Sequence, residues 1–216
     1  MSTHAVSGAP AEAPPPVESP GYAPEAGVGT PLAVGTFGFS VLMLGIPNAG
    51  LIPAAAAAAF AAVAFGTGAF GLGIGGIMEL RANNVFGGSF ALLYSAFLLT
   101  TAILLRIYAP EMGDAFAPAF GTWLLLWFVF TTLLSYAAWH VNMPAFLAFA
   151  LLALGYLLFG IANFSGASAA AALSVAGGWV LIADGVVALY LAWALAVNPV
   201  VGDRLPLWPY PYGRAG

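Results

Sequence analysis

The sequence predicts an all-α integral membrane protein. Of its 216 residues, 62% are hydrophobic and only 6% are charged, whereas about a quarter of the residues of a soluble domain carry charge. The apolar residues run in long Ala, Leu, Val and Phe stretches rather than alternating one by one as barrel strands do, so the spanning elements are expected to be helices. From Ala26 to Met78 there is no Asp, Glu, Lys or Arg, room for two helices of about 20 residues each.

Residues 1–30 place Glu12, Glu18 and Glu25 among Pro, Ala and Gly, and so polar a segment is expected to be a disordered acidic tail. It has neither a cationic start nor an early apolar run, which argues against a cleaved signal peptide. The membrane body is expected over 31–200 as six helices, followed by a short tail over 201–216. The first helix falls at 32–50 and the second at 54–79, parted at Ile52-Pro53. Arg81, Asn83 and Asn84 make a polar turn before a third span from Phe86 to Leu105, and Tyr108 to Asp114 is expected as a loop. A fourth span over 117–138 ends at the break Trp139 to Pro144, a fifth covers 144–162, and Asn163 to Ser168 precedes a sixth over 171–197.

Arg81, Arg204 and Arg214 fall on the side of the termini and Arg106 on the other, so the excess of cations puts both termini in the cytoplasm. Tyr108, Trp139, Trp208 and Tyr210 stand near span ends, where amphipathic rings suit the membrane interface. The second span is nearly devoid of bulk, with Ala54 to Ala59 followed by Gly66, Gly68, Gly71, Gly73, Gly75 and Gly76. Neighbours must approach it closely, within one protomer or across an oligomer interface. Gly45 to Gly50, with Pro47 and Asn48 between the glycines, is either a helix broken beside a cavity, where unwound N–H groups hold an anion, or a plain helix end.

Two acids stand out. Asp184 lies about midway along the sixth span, where insertion of an acid costs about 2.5 to 3.5 kcal/mol, so it either handles protons or bonds another helix. Glu79, beside Arg81, ends the second span; it is expected as a hydrated interfacial carboxylate, with a proton-handling or helix-contact role as the other reading. The spans carry no deep cation but several amides and hydroxyls, among them Ser40, Asn48, Thr131, Asn163 and Tyr190. Those five are candidates to line a path for a small neutral or singly charged solute, though each can instead bond its own helix backbone.

Other functions are poorly supported. No nucleophile elbow, phosphate loop or metalloprotease motif occurs, so no enzyme is expected. Cys is absent and the two histidines, His4 and His140, have no ligand companions, so no metal or cofactor is expected. A net charge of −4 leaves no basic patch for nucleic acid.

The chain resembles the acetate uptake transporters, the acetate/succinate permeases of bacteria and archaea with fungal relatives. The likeness runs over 31–207 and rests on Pro31-Leu-Ala-Val-Gly-Thr-Phe37-Gly-Phe, on Glu79 with Asn83 through Phe97, on Gly160-Ile-Ala-Asn163, and on Gly178-Trp179 through Tyr190 to Asn198 and Arg204-Leu-Pro206. The resemblance implies a six-helix protomer in a homo-hexamer of the plasma membrane, each protomer carrying its own pathway for acetate and related short carboxylates. It also implies a hydrophobic constriction, matched here by Phe37, Tyr94 and Leu152; apart from the resemblance these three read as ordinary packing. The family's Asn-Pro-Ala-Pro-Leu-Gly-Leu signature is altered to Val28-Gly-Thr-Pro-Leu-Ala-Val34, and Asp184 is not part of the family pattern. A urea or short-amide channel of the six-helix hexameric kind, and a structural membrane protein without transport, are the alternatives.

Overall fold

The structure is a computed structural model that describes residues 27–208 and is helical throughout, with no strand among the described residues. The expected acidic tail lies almost wholly outside those residues, as do Tyr210 and Arg214. Helix α1 spans Thr30–Asn48. The next helical stretch, Ala54–Arg81, opens with a 3-10 segment and contains α2 (Ala59–Val63), a π turn (Ala64–Ala69) and α3 (Phe70–Arg81). Then come α4 (Val85–Ile103), the short α5 (Ala109–Met112), α6 (Phe116–Trp139), α7 (Met143–Ala162) and α8 (Ala167–Val201).

The sequence explains most of the starts and stops. Pro31 occupies the first turn of α1 and Pro144 that of α7, positions where the missing N–H costs nothing. The side chains of Asn84 and Asn142 accept hydrogen bonds from the backbone N–H of Gly87 and Ala145, each at 2.9 Å, capping α4 and α7. Gly202 ends α8 in the left-handed conformation at φ 79°, which glycine adopts without strain.

Of the two readings of residues 45–50, the plain helix end holds and the broken span does not: α1 continues through Pro47 and stops at Asn48, and Gly50 at φ 79° turns the chain away. Pro47 sits in the last turn, where it removes one helical bond, and the carbonyls at the helix end are met locally by Gly50 N–H to Pro47 O at 3.1 Å and Leu51 N–H to Ile46 O at 3.2 Å. The segment Tyr108 to Asp114 is not an open loop either, because a π turn over Leu104–Tyr108 leads directly into α5. The chain reverses at Gly113, whose φ of 52° and ψ of −129° only glycine takes readily.

Among the described residues, five helical stretches are long and apolar enough to cross a membrane, the third of them the whole of Val85–Trp139. That stretch is not one rod. Tyr94 of α4 and Thr131 of α6 are hydrogen-bonded at 2.6 Å, and Trp123 of α6 donates to Thr101 of α4 at 3.2 Å, although a straight helix would hold Tyr94 and Thr131 about 55 Å apart. The two arms therefore lie side by side.

The helices close into a ring: α1 packs on α3, α3 on α4, α4 through side chains on α6, α6 on α7, α7 on α8, and α8 back on α1. Glycines make the last contact. A Cβ on Gly45 would stand 2.9 Å from the carbonyl oxygen of Gly178, and one on Gly178 would meet the backbone of Asn48 and Ala49. One heptad along each helix, Gly38 faces Gly185, where a Cβ on either would lie 3.2 or 3.1 Å from the other's carbonyl oxygen. In lipid, where apolar surface is not driven from its solvent, such backbone proximity supplies the packing energy. Within the Ala54–Arg81 stretch the packing is close toward its end, where Gly75 meets Gly29 and α1 residue Ala33 and Gly76 meets Leu92 of α4, whereas Ala54–Ala58 has no buried residue.

Gly178→Val should therefore lower stability by about 1 to 3 kcal/mol, because the obstructing atoms are backbone. Gly66→Ala, with nothing within 4 Å of the added carbon, should cost nothing within the protomer. Thermal unfolding of the two variants in detergent will show whether they separate in this way.

Candidate functional site

Two cavities lie inside the ring. The first, about 70 Å³, is walled by Val34 and Phe37 of α1, Phe90 and Tyr94 of α4, Phe149 and Leu152 of α7, and Leu191 and Leu195 of α8, among others. The second, about 410 Å³, is walled by Phe37, Val41 and Asn48 of α1, Thr101 of α4, Arg106, Leu152, Tyr156 and Asn163, and Leu181 of α8. Phe37 and Leu152 belong to both walls, and Tyr94 to the first. The ring centroids of Phe37 and Tyr94 are 6.1 Å apart at 59°. All three side chains are buried, so α1, α4 and α7 each send one apolar or aromatic group to the section where the cavities meet.

The two ends differ electrically. The first cavity is bordered by the opening turns of α1, α4 and α7 through Thr30, Asn84, Gly87, Asn142 and Ala145. Helix N-termini carry partial positive charge; that of α1 is answered by a carboxylate, those of α4 and α7 by neutral amides. The second cavity is bordered by the guanidinium-bearing Arg106 and by Asn48 and Asn163. Each of those amides donates to its own helix at 2.8 Å, to Leu44 and Phe159, and retains further hydrogen-bonding capacity.

The carboxylate at the first mouth is Glu79, and here the expectation of a hydrated interfacial group is overturned. Glu79 is fully buried. It accepts from the backbone N–H and hydroxyl of Thr30, the latter at 2.8 Å, from Gly27 N–H at 3.0 Å and from Asn84 Nδ2 at 2.6 Å. The physical reason is the orphan N–H groups of α1, which need an acceptor and, with Asn84, replace the carboxylate's water. Glu79 thus ties the end of α3 to the starts of α1 and α4.

The remaining predicted residues divide. Asn48 and Asn163 line the second cavity, whereas Ser40, Thr131 and Tyr190 line neither. Ser40 is buried and donates to Thr36 O at 2.8 Å, Thr131 is spent on the Tyr94 hydroxyl, and Tyr190 donates to Pro206 O at 2.6 Å. That last bond helps fold the chain beyond α8 back onto it, with Asn198 bonded both ways to Leu205 at 2.9 Å. Asp184 is fully enclosed, and neither carboxyl oxygen has a hydrogen-bond partner. Asn142, Phe149 and Tyr156 were not among the site candidates read from the sequence, and Arg106 entered only as a marker of orientation; Asn142 just ahead of Met143-Pro144 at a span start was the available clue to a cap.

A ring of apolar helices, five stretches of them long enough to cross a membrane among the described residues, defines a multi-pass membrane protein. The chain belongs to the GPR1/FUN34/yaaH family, whose family model matches residues 14–201. It is similar to the ammonia transport outward protein 2 of Saccharomyces cerevisiae, 34% identical over 129 residues that make up 56% of this chain and 42% of that one. It is also similar to the succinate-acetate/proton symporter SatP of Escherichia coli K12, 28% identical over 176 residues, 80% of this chain and 89% of that one. The chain spans about half the length of the Emericella and Saccharomyces relatives it matches. Among solved structures, that of the bacterial acetate channel SatP superposes with a TM-score of 0.75 at 26% identity, covering 83% of this chain and 97% of the other.

Replacing Glu79 by Ala should destabilise the protein by upwards of about 3 kcal/mol, since several buried donors lose their acceptor at about 1 to 3 kcal/mol each. Glu79→Gln, which keeps one oxygen, should lose less. Unfolding midpoints in detergent, with the wild-type protein alongside, give the comparison.

Proposed function

We propose that this protein is a transmembrane permease or channel for acetate and related short-chain carboxylates. The observation that carries the reading is the pair of cavities joined at Phe37, Tyr94 and Leu152. Acetate is a methyl group and a carboxylate, and a route for it needs apolar walls wide enough for the methyl and positive potential at the mouths. The opening turns of α4 and α7 supply that potential at one end and Arg106 at the other. In this reading Phe37, Tyr94 and Leu152 form the constriction, which resists hydrated ions by staying dry, and Asn48 and Asn163 are polar stations on the way to it. The likeness to SatP, in sequence and in fold, supports the substrate class.

The same reading counts six spans, taking the Val85–Trp139 stretch as two because it doubles back at Gly113. Arg81 and Arg204 then share the side of the termini and Arg106 stands opposite, which favours cytoplasmic termini in the plasma membrane. Because the route runs inside one ring of helices, each protomer of the homo-hexamer has its own. Glu79 acts as a helix-contact acid at the cytoplasmic mouth.

Uptake of labelled acetate, succinate, ammonium and urea into liposomes containing the purified protein tests the substrate class. Acetate should enter faster than into protein-free liposomes, and urea or ammonium should not compete; acetate uptake at the protein-free rate would overturn the reading. Phe37→Ala or Tyr94→Ala should raise the uptake of bulkier carboxylates relative to acetate by about tenfold, the discrimination a hydrophobic pocket loses when a side chain is removed.

A further inference from the structure

The buried acid of α8 has a place in this route. Leu181, Asp184, Ala188, Leu191 and Leu195 follow one another at steps of three and four residues, so they form one stripe along the helix. Leu181 walls the second cavity, and Leu191 and Leu195 wall the first. Asp184 stands between them, about 4.5 Å along the axis from Leu181 and about 10 Å from Leu191, in the closed section that belongs to neither cavity.

Its surroundings are short of hydrogen-bond partners. Both Asp184 oxygens and the Tyr156 hydroxyl are enclosed and unpaired. Tyr156, on α7, walls the second cavity and packs on Phe97 with ring centroids 5.0 Å apart. Gly155, next to Tyr156, faces Leu181 one turn from Asp184, and Tyr94 and Tyr156 both pack on Phe97 with ring centroids 6.5 and 5.0 Å away, which gathers the three groups at the waist. The helices packed on α8 are α1 and α7; over their lengths α1 carries no titratable side chain and α7 only Tyr156. Tyr94, already bonded to Thr131, reaches in from α4. No Lys, Arg or His occurs on α1, α7 or α8.

A carboxylate that leaves water to cross this section keeps acceptors and needs donors. Tyr156 offers one O–H. The Asp184 side chain offers a second only as the neutral acid, and as the ionised form it offers none and repels a like charge. We infer that Asp184 in its acid form, together with Tyr156, makes a hydrogen-bonding site for the substrate carboxylate in the closed section, and that loss of the Asp184 proton shuts the route to anions. This assignment rests on the reading of the chain as a carboxylate route. It makes Asp184 a specificity-determining residue, with transport competence falling as pH rises through its titration.

The test uses the full-length protein in liposomes and initial rates of labelled acetate uptake from mildly acidic to mildly alkaline pH, with protein-free vesicles subtracted. Wild-type uptake should fall by at least about tenfold over that range, the scale of a close like-charge repulsion. Asp184→Asn keeps a donor but cannot ionise, so its uptake should persist at the alkaline end, leaving only the dependence owed to acetate's own protonation. Asp184→Leu should be slow at every pH, and Tyr156→Phe should be slower than wild type with the wild-type pH profile.

Coinciding pH profiles for Asp184→Asn and wild type, or a wild-type rate that does not fall with pH, would overturn this assignment and leave acetate transport standing. Absence of wild-type uptake would overturn both. Should Asp184→Asn fail to fold, as judged by gel filtration, Tyr156→Phe decides: uptake at the wild-type rate removes the site.

Discussion

Everything in the fold depends on how closely α1 and α8 approach each other. The first and last of the described helices meet through Gly38 against Gly185 and Gly45 against Gly178, and that contact turns a row of helices into a ring. A side chain at Gly45 or Gly178 would run into the facing backbone and force the two helices apart. Because lipid chains solvate apolar residues as well as protein does, no hydrophobic drive would restore the contact. The two cavities and the waist between them exist because this seam holds.

The waist gathers its groups from three helices that begin at the same mouth. Helices α1, α4 and α7 start beside the first cavity, and each contributes one residue of the Phe37, Tyr94 and Leu152 group. Starting together gives the mouth its dipoles and running together gives the waist its symmetry of supply. The fixed point of that arrangement is Glu79, which bonds the starts of α1 and α4 at once. The altered entry sequence from Val28 to Val34 fits the same bond, since Thr30 supplies both a backbone and a hydroxyl donor to it.

Much of this was legible in the sequence, because span boundaries are written locally. Pro31, Pro144, Asn84, Asn142 and Gly202 mark helix ends through φ angles and missing or capped N–H groups, and charge-free runs mark what lies between. The glycines of the Ala54–Arg81 stretch announced close packing by their density. The glycines of the seam did not, being four residues spread over two helices at opposite ends of the chain; only their matching heptad spacing pointed to a pairing. Glu79 was misread for the same reason. A carboxylate at the end of a span looks hydrated until the donors 49 and 52 residues away are brought to it. Among the polar candidates, Ser40, Asn48 and Asn163 bond their own helices, so composition alone could not rank them.

The seam also sets the height of α8. Its register places residues 175–193 alongside the 19 residues of α1, which at about 28 Å are matched to the hydrocarbon thickness. Helix α8 has 35 residues and therefore overshoots α1 by about 12 Å at each end. One projecting end carries Asn198, which holds the chain beyond α8 folded back, and that chain reaches the start of α7, where Met143 N–H donates to Trp208 O at 3.2 Å. The other, exposed over most of Ala167 to Ala172, rises past the level where α1 stops. Two helices in contact thus differ in length by 16 residues, 35 against 19, and lipid must deform or the longer helix must tilt to accommodate the difference.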